Sequence, residues 1–172
     1  MTQRSHPPQP TKAPSTPPTE GFQYSREQFE ALADLALTHA RALGATDGGV
    51  EVSEGSGLSV SVRKGALENV ERNRDKSLGI TVYLGQRRGN AATSDFGPDA
   101  VRQTVQAAYD IARFTAEDPV AGLPDEVDVA NDQPDLDLFH PWAITAEEAV
   151  QIALRCEAAA LSTSRRITNS EG

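Results

Sequence analysis

The sequence predicts an α+β fold, an antiparallel five-stranded meander flanked by helices. Two observations carry that expectation. Leu58, Val60 and Val62 alternate with Ser59, Ser61 and Arg63, and Leu78, Ile80, Val82 and Leu84 alternate with Gly79, Thr81 and Tyr83. Period-two alternation marks strands with one face on a core and the other in water. On either side of this stretch, apolar residues recur at helical spacing behind capping signals.

Each element follows in order. Residues 1–21 hold most of the chain's eleven prolines, mixed with Gln, Ser and Thr. Such a segment buries too little apolar surface to offset its conformational entropy, and a disordered tail is expected. Ser25 and Gln28 form a capping-box pair. Phe29, Leu32, Ala36, Ala40 and Leu43 then give an apolar stripe, and Gly44 supplies the stop, for a helix over about 25–43.

Five strands are expected near 48–54, 57–63, 66–74, 77–84 and 87–93. The turns between them fall at Glu54-Gly55-Ser56-Gly57, Lys64-Gly65, Arg74-Asp75-Lys76 and Gly85-Gln86. Asp95-Phe96-Gly97-Pro98 opens a second helix over about 98–115, with proline where its missing donor is harmless. Its stripe is Val101, Val105, Ala108, Ile111 and Ala112. A residue before proline avoids helical angles, so this helix ends before Asp118-Pro119.

From 117 to 144 the chain is an acidic loop segment, expected to be pinned by Leu136, Leu138, Phe139 and Trp142. Thr145 and Glu148 form a second capping box, starting a helix over about 146–162. Arg166–Gly172 then reads as a strand running into a turn, the start of a second, truncated helix–strand unit over 145–172. A partial repeat supports this: cap to Ser-Glu-Gly is 28 residues from Ser25 and 25 from Thr145. The domain division is therefore a tail over 1–21, a helix–meander–helix domain over 22–116, the acidic segment and the partial second unit. No pairing partner follows Gly172, so an unpaired end is expected.

Charge narrows the function. The net charge of -9 disfavours general nucleic-acid binding. The distribution is uneven: residues 63–88 hold seven bases and three acids, leaving nine bases and twenty-two acids elsewhere. Cys156 is the single cysteine, so no internal disulfide can form. Its neighbours Ala153, Leu154, Ala158 and Ala159 suggest a buried structural thiol. No apolar run approaches the ~18–20 residues of a membrane span, and the N-terminus lacks an apolar leader core. A cytoplasmic protein is expected.

No catalytic constellation emerges from local spacing. His6, His39 and His140 fall in the tail, on a helix and in a loop, without the paired spacing of a helical zinc site. Gly55-Ser56-Gly57 lacks the third glycine and following helix of a dinucleotide loop. Ser53 and Ser170 lie in no nucleophile-elbow pattern. No catalytic or metal-binding residue is assigned.

Several words of the chain together resemble the PmbA/TldD family. They are Ser53–Gly65 (SEGSGLSVSVRKG), Ser77–Tyr83 (SLGITVY), Arg87–Asn90, Thr93–Asp95, Ala112–Pro119 (ARFTAEDP), Asp135–Pro141 (DLDLFHP) and Arg166–Gly172 (RITNSEG). The resemblance spans about residues 22–172 and is nearer the PmbA branch than the TldD branch. It implies the N-terminal region of a subunit of a cytoplasmic zinc metallopeptidase that degrades or processes unfolded peptides, a system also labelled a modulator of DNA gyrase. It further implies a heterodimer with a TldD-like subunit, whose His-Glu-x-x-x-His helix holds the zinc. That helix is missing here, so no catalytic residue carries over and no cofactor is expected in this chain.

The expected role is thus a non-catalytic domain, with unfolded peptide as substrate and a TldD-like subunit or a second copy as partner. Arg63, Arg72, Arg74, Tyr83 and Arg87 are the candidate peptide contacts, taken from alternation and clustering on the sheet's polar face. Two alternatives stand beside it. One is a non-proteolytic binding module using the basic 63–88 face, and the other is an inactive fragment with exposed apolar surface.

Overall fold

The computed structural model describes residues 21–130, 132 and 134–172. The expected disordered tail lies, apart from Gly21, outside the described residues. Helix α1 (Arg26–Leu43) leads into strands β1 (Asp47–Arg63), β2 (Ala66–Leu84) and β3 (Arg87–Thr93). Helix α2 (Pro98–Phe114), a short 3-10 turn (Glu126–Asp128) and helix α3 (Ala146–Thr163) follow.

The α+β class holds, but the sheet has three antiparallel strands in the order β1-β2-β3 rather than five. Two of the expected turns are strand interior, and they face each other: Glu54 pairs with Lys76, Gly55 with Asp75, Ser56 with Arg74 and Gly57 with Asn73. Neither Gly55 nor Gly57 adopts a positive φ. A side chain at Gly57 would meet Asn73 Oδ1 at 2.6 Å, so the bare glycine makes room for the residue across from it. Only the Lys64-Gly65 and Gly85-Gln86 turns reverse the chain, with φ of 53° at Lys64, 73° at Gly65 and 61° at Gly85.

The result is a hairpin with strands of 17 and 19 residues. Since β3 pairs only with Leu78–Leu84, residues 66–77 of β2 extend beyond the three-stranded body as a two-stranded ribbon. On the body, Leu78, Ile80 and Val82 point inward and meet Ala36 and Ala40 of α1 and Val101, Val105 and Ala108 of α2. Tyr24, Phe29 and Phe96 close this core with mutual ring contacts of 5.1–6.4 Å. Gly89 lets α2 approach closely, because a Cβ there would lie 2.1 Å from the Ala108 carbonyl oxygen.

Both expected capping boxes are present. The Ser25 hydroxyl accepts from the Gln28 N–H and the Gln28 amide oxygen accepts from the Ser25 N–H. Thr145 and Glu148 repeat the arrangement on α3. Ile111, expected inside, is 47% exposed on α2.

Three other expectations change. Cys156 is exposed rather than buried, because α3 turns Ala153 and Glu157 inward instead. The acidic segment is scarcely pinned by its apolar residues: Leu138 is 81% and Trp142 74% exposed, and Phe139 only meets the Phe22 ring at 5.9 Å. Finally, the end at Gly172 is paired. Val62 and Gly172 exchange both backbone hydrogen bonds, at 2.9 and 3.1 Å, so the last residues add a short bridge to the outer edge of β1.

Candidate functional site: a cleft on the hairpin ribbon

The five candidate contact residues do not form one surface. Arg63 sits near the hairpin tip, where its guanidinium binds Glu171 at 2.5 Å and Glu68 at 3.5 Å. The Glu171 hydrogen bond, then the charge of Glu68, raise the Arg63 pKa above its ordinary value. Arg87 lies at the opposite end of the sheet, paired with Glu117 at 3.2 Å and reaching the Arg113 carbonyl. Tyr83 is buried, on the face opposite Leu78 and Val82 by strand alternation. It borders an open depression lined by Gly49, Glu51, Gly79, Thr81 and Asn90.

Arg72 and Arg74 do stand together. They share the parity of Leu78, Ile80 and Val82, so they continue the inward face of β2 past the end of the core. The covering of that face is interrupted here. Arg74 donates to the Gly21 carbonyl at 3.2 Å, and Lys76 donates to the Tyr24 hydroxyl at 2.8 Å and lies 4.8 Å from the Phe96 ring centroid. Beyond Arg74 the next cover is Trp142 and Ile144, at the approach to α3. Between them lies a cleft of about 450 Å³, bordered by Ser56, Gly57, Leu58, Asn73 and the two arginines.

Nothing local in the sequence announces this cleft, because Trp142 is seventy residues from Arg72. Its chemistry is mixed: an exposed indole and two aliphatic side chains beside two guanidinium groups. Planar guanidinium forks suit carboxylates, and the apolar wall suits an uncharged side chain.

The ribbon tip is held from α3. Glu157, only 2% exposed, accepts the Lys64 N–H at 2.5 Å and the Gly65 N–H at 2.8 Å. Its position four residues after Ala153 puts it on the same helix face, the one signal that could have marked it as an inward acid. Among the described residues, no group of three His, Cys, Asp or Glu side chains is placed to hold a metal ion. None of the described helices is long and apolar enough to cross a membrane.

Comparison with known proteins places the chain. Residues 50–112 match the model of PmbA/TldA metallopeptidase domain 1. The chain is 53% identical over 148 residues to Metalloprotease PmbA of Escherichia coli O157:H7, covering 86% of this chain and 32% of that protein. It is 47% identical over 123 residues to the Metalloprotease PmbA homolog of Haemophilus influenzae, covering 72% of this chain and 27% of the relative. The chain thus spans about a third of the length of these relatives.

Among solved structures, a Bacteroides thetaiotaomicron protein described as a candidate modulator of DNA gyrase superposes with a TM-score of 0.70 at 20% identity, covering 83% of this chain and 33% of that one. TldE from Thermococcus kodakarensis gives 0.52 at 14% identity, covering 80% and 30%. At these identities the two show a shared fold. With 53% of 148 aligned residues identical to a PmbA, and residues 50–112 matching domain 1 of the family, the chain carries the first domain of the PmbA/TldD family.

Proposed function

We propose that this chain is a non-catalytic, peptide-contacting region of a PmbA-like subunit in a cytoplasmic zinc metallopeptidase that acts on unfolded peptides. The observation that carries the reading is identity to Metalloprotease PmbA joined to an open, basic-lined cleft on an extended ribbon. The described residues do not offer a donor set that fits zinc, and the role proposed for this chain is contact with peptide rather than bond breaking. Zinc and the hydrolytic groups belong, on this reading, to a TldD-like partner in a heterodimer.

The ribbon supplies what an unfolded substrate needs. Residues 66–77 of β2 have β1 on one side and, among the described residues, no third strand on the other. Free backbone groups at such an edge can pair with an extended chain of any sequence. Side chains of the ribbon then add selectivity without making or breaking bonds.

The test is cleavage of an unfolded peptide by a TldD-like subunit with and without this chain. Cleavage that rises with a stoichiometric amount of the chain supports the proposal. A rate unaffected by the chain, with no co-purification, would refute it.

A further inference from the structure

We propose that the cleft at Arg72, Arg74 and Trp142 selects extended peptide carrying two acidic side chains at alternate positions. This deepens the peptide-contacting reading and rests on it. The first support is spacing. Arg72 and Arg74 are two residues apart on one strand, so their Cα atoms are about 6.5–7 Å apart and their side chains leave the same face. An extended peptide repeats by the same distance, so carboxylates at alternate positions can meet both guanidiniums at once.

The second support is availability. Among the described residues, neither arginine is ion-paired; Arg72 has no hydrogen bond, and Arg74 has only the one to the Gly21 carbonyl. Arg63, Arg87, Arg102 and Arg113 all have carboxylate partners. Arg41, Arg88, Arg155, Arg165 and Arg166, like the basic pair, make no ion pair among the described residues; what distinguishes Arg72 and Arg74 is that two unpaired guanidinium groups stand on one strand face at one cleft. Charge-assisted bonds to a carboxylate are the strongest such groups can form.

The third support is the wall. Trp142 is 74% exposed, and with Leu58 and Ile144 it borders the same cleft as the arginines. The residue between two acidic positions, or one flanking them, would lie against this indole. A long polyanion fits worse, because the described lining of the cleft offers two guanidinium groups beside an apolar wall of Trp142, Leu58 and Ile144.

Trp142 is the chain's single tryptophan, so its fluorescence reports the cleft. The experiment titrates the 172-residue chain with an N-acetylated, C-amidated hexapeptide bearing glutamates at its third and fifth positions. The expected result is a saturable change in Trp142 emission that weakens with added salt. Arg72→Gln or Arg74→Gln should each weaken binding roughly tenfold or more, with the circular dichroism spectrum unchanged. The diglutamine version of the peptide should bind no better than those variants do.

Equal binding of the diglutamine peptide would overturn the proposal. So would preference for a neutral peptide with a free C-terminus, tighter binding of an oligodeoxynucleotide, or a response caused only by self-association. Failure to bind the acidic peptide, with the chain still stimulating a TldD-like subunit, would remove acidic selection and leave the proposed function standing.

Discussion

Glu157 holds the turn of the long hairpin by accepting the Lys64 N–H at 2.5 Å. Its other oxygen takes the Gly65 N–H at 2.8 Å, and Gly172 packs against the same helix turn, where a Cβ would lie 2.0 Å from the Ala153 carbonyl oxygen. Helix, turn and terminal bridge are thus one unit. Glu157→Ala leaves two turn amides without their acceptor. We expect a loss of about 2–3 kcal/mol in urea unfolding, with faster amide exchange at Lys64 and Gly65. Glu157→Gln should keep one of the two bonds and lose less.

Gly89 is the corresponding contact at the other end of the sheet. A methyl group there would meet the Ala108 carbonyl oxygen at 2.1 Å and the Ala112 nitrogen at 2.4 Å, both backbone atoms that cannot swing aside. Gly89→Ala must push α2 off the sheet. The expected cost is about 3 kcal/mol, at the upper end of overpacking substitutions, read as a lowered thermal midpoint. Gly79→Ala is the control, since nothing lies within 4 Å of the point where its added methyl group would stand.

The two capping boxes differ in one chemical respect, which makes their pH responses differ. Gln28 closes the α1 box and does not titrate, whereas Glu148 closes the α3 box. The backbone hydrogen bond from Thr145, then that from its hydroxyl, hold the Glu148 pKa below the ordinary glutamate value of 4.5. A depressed folded-state pKa means a contribution fully present above the unfolded value and lost as pH falls through the folded one. On acidification below the ordinary glutamate range, the protection of the Thr145 amide relative to its intrinsic exchange rate should fall while that of the Ser25 amide stays unchanged. Glu148→Gln should abolish that difference.

Local signals were the legible part of this fold. Capping boxes, the stripes of α1 and, apart from the exposed Ile111, of α2, and the Lys64-Gly65 turn depend on residues a few positions apart, and each stands where the sequence placed it. The five-strand expectation failed because Glu54–Gly57 and Asn73–Lys76 have turn composition yet lie directly across from each other. Paired in register, the bare Gly57 leaves the space that Asn73 fills. Of the candidate contacts, Arg72 and Arg74 were readable as a pair from strand period alone. Their separation from Arg63, Tyr83 and Arg87 was not, because it follows from β2 being one continuous strand, which puts Tyr83 on the opposite face and Arg63 and Arg87 toward opposite ends of the sheet.

Leu78 tests how the ribbon depends on the body. It is fully buried and paired with both Val52 and Thr93, at the point where three strands become two. Leu78→Ala should cost about 2–4 kcal/mol. Because the cleft begins four residues away on the same strand, at Arg74, Trp142 emission should shift along with the unfolding signal rather than before it. An earlier Trp142 transition would show that the ribbon opens independently of the core.

Zinc stoichiometry is the most direct measure of the proposed division of labour. The chain alone and its complex with a TldD-like subunit would be dialysed against trace zinc and analysed for bound metal, alongside peptide cleavage by each sample. Zinc and cleavage only in the complex, with none retained by the chain alone, is the predicted result. Stoichiometric zinc with cleavage by the isolated chain would contradict it.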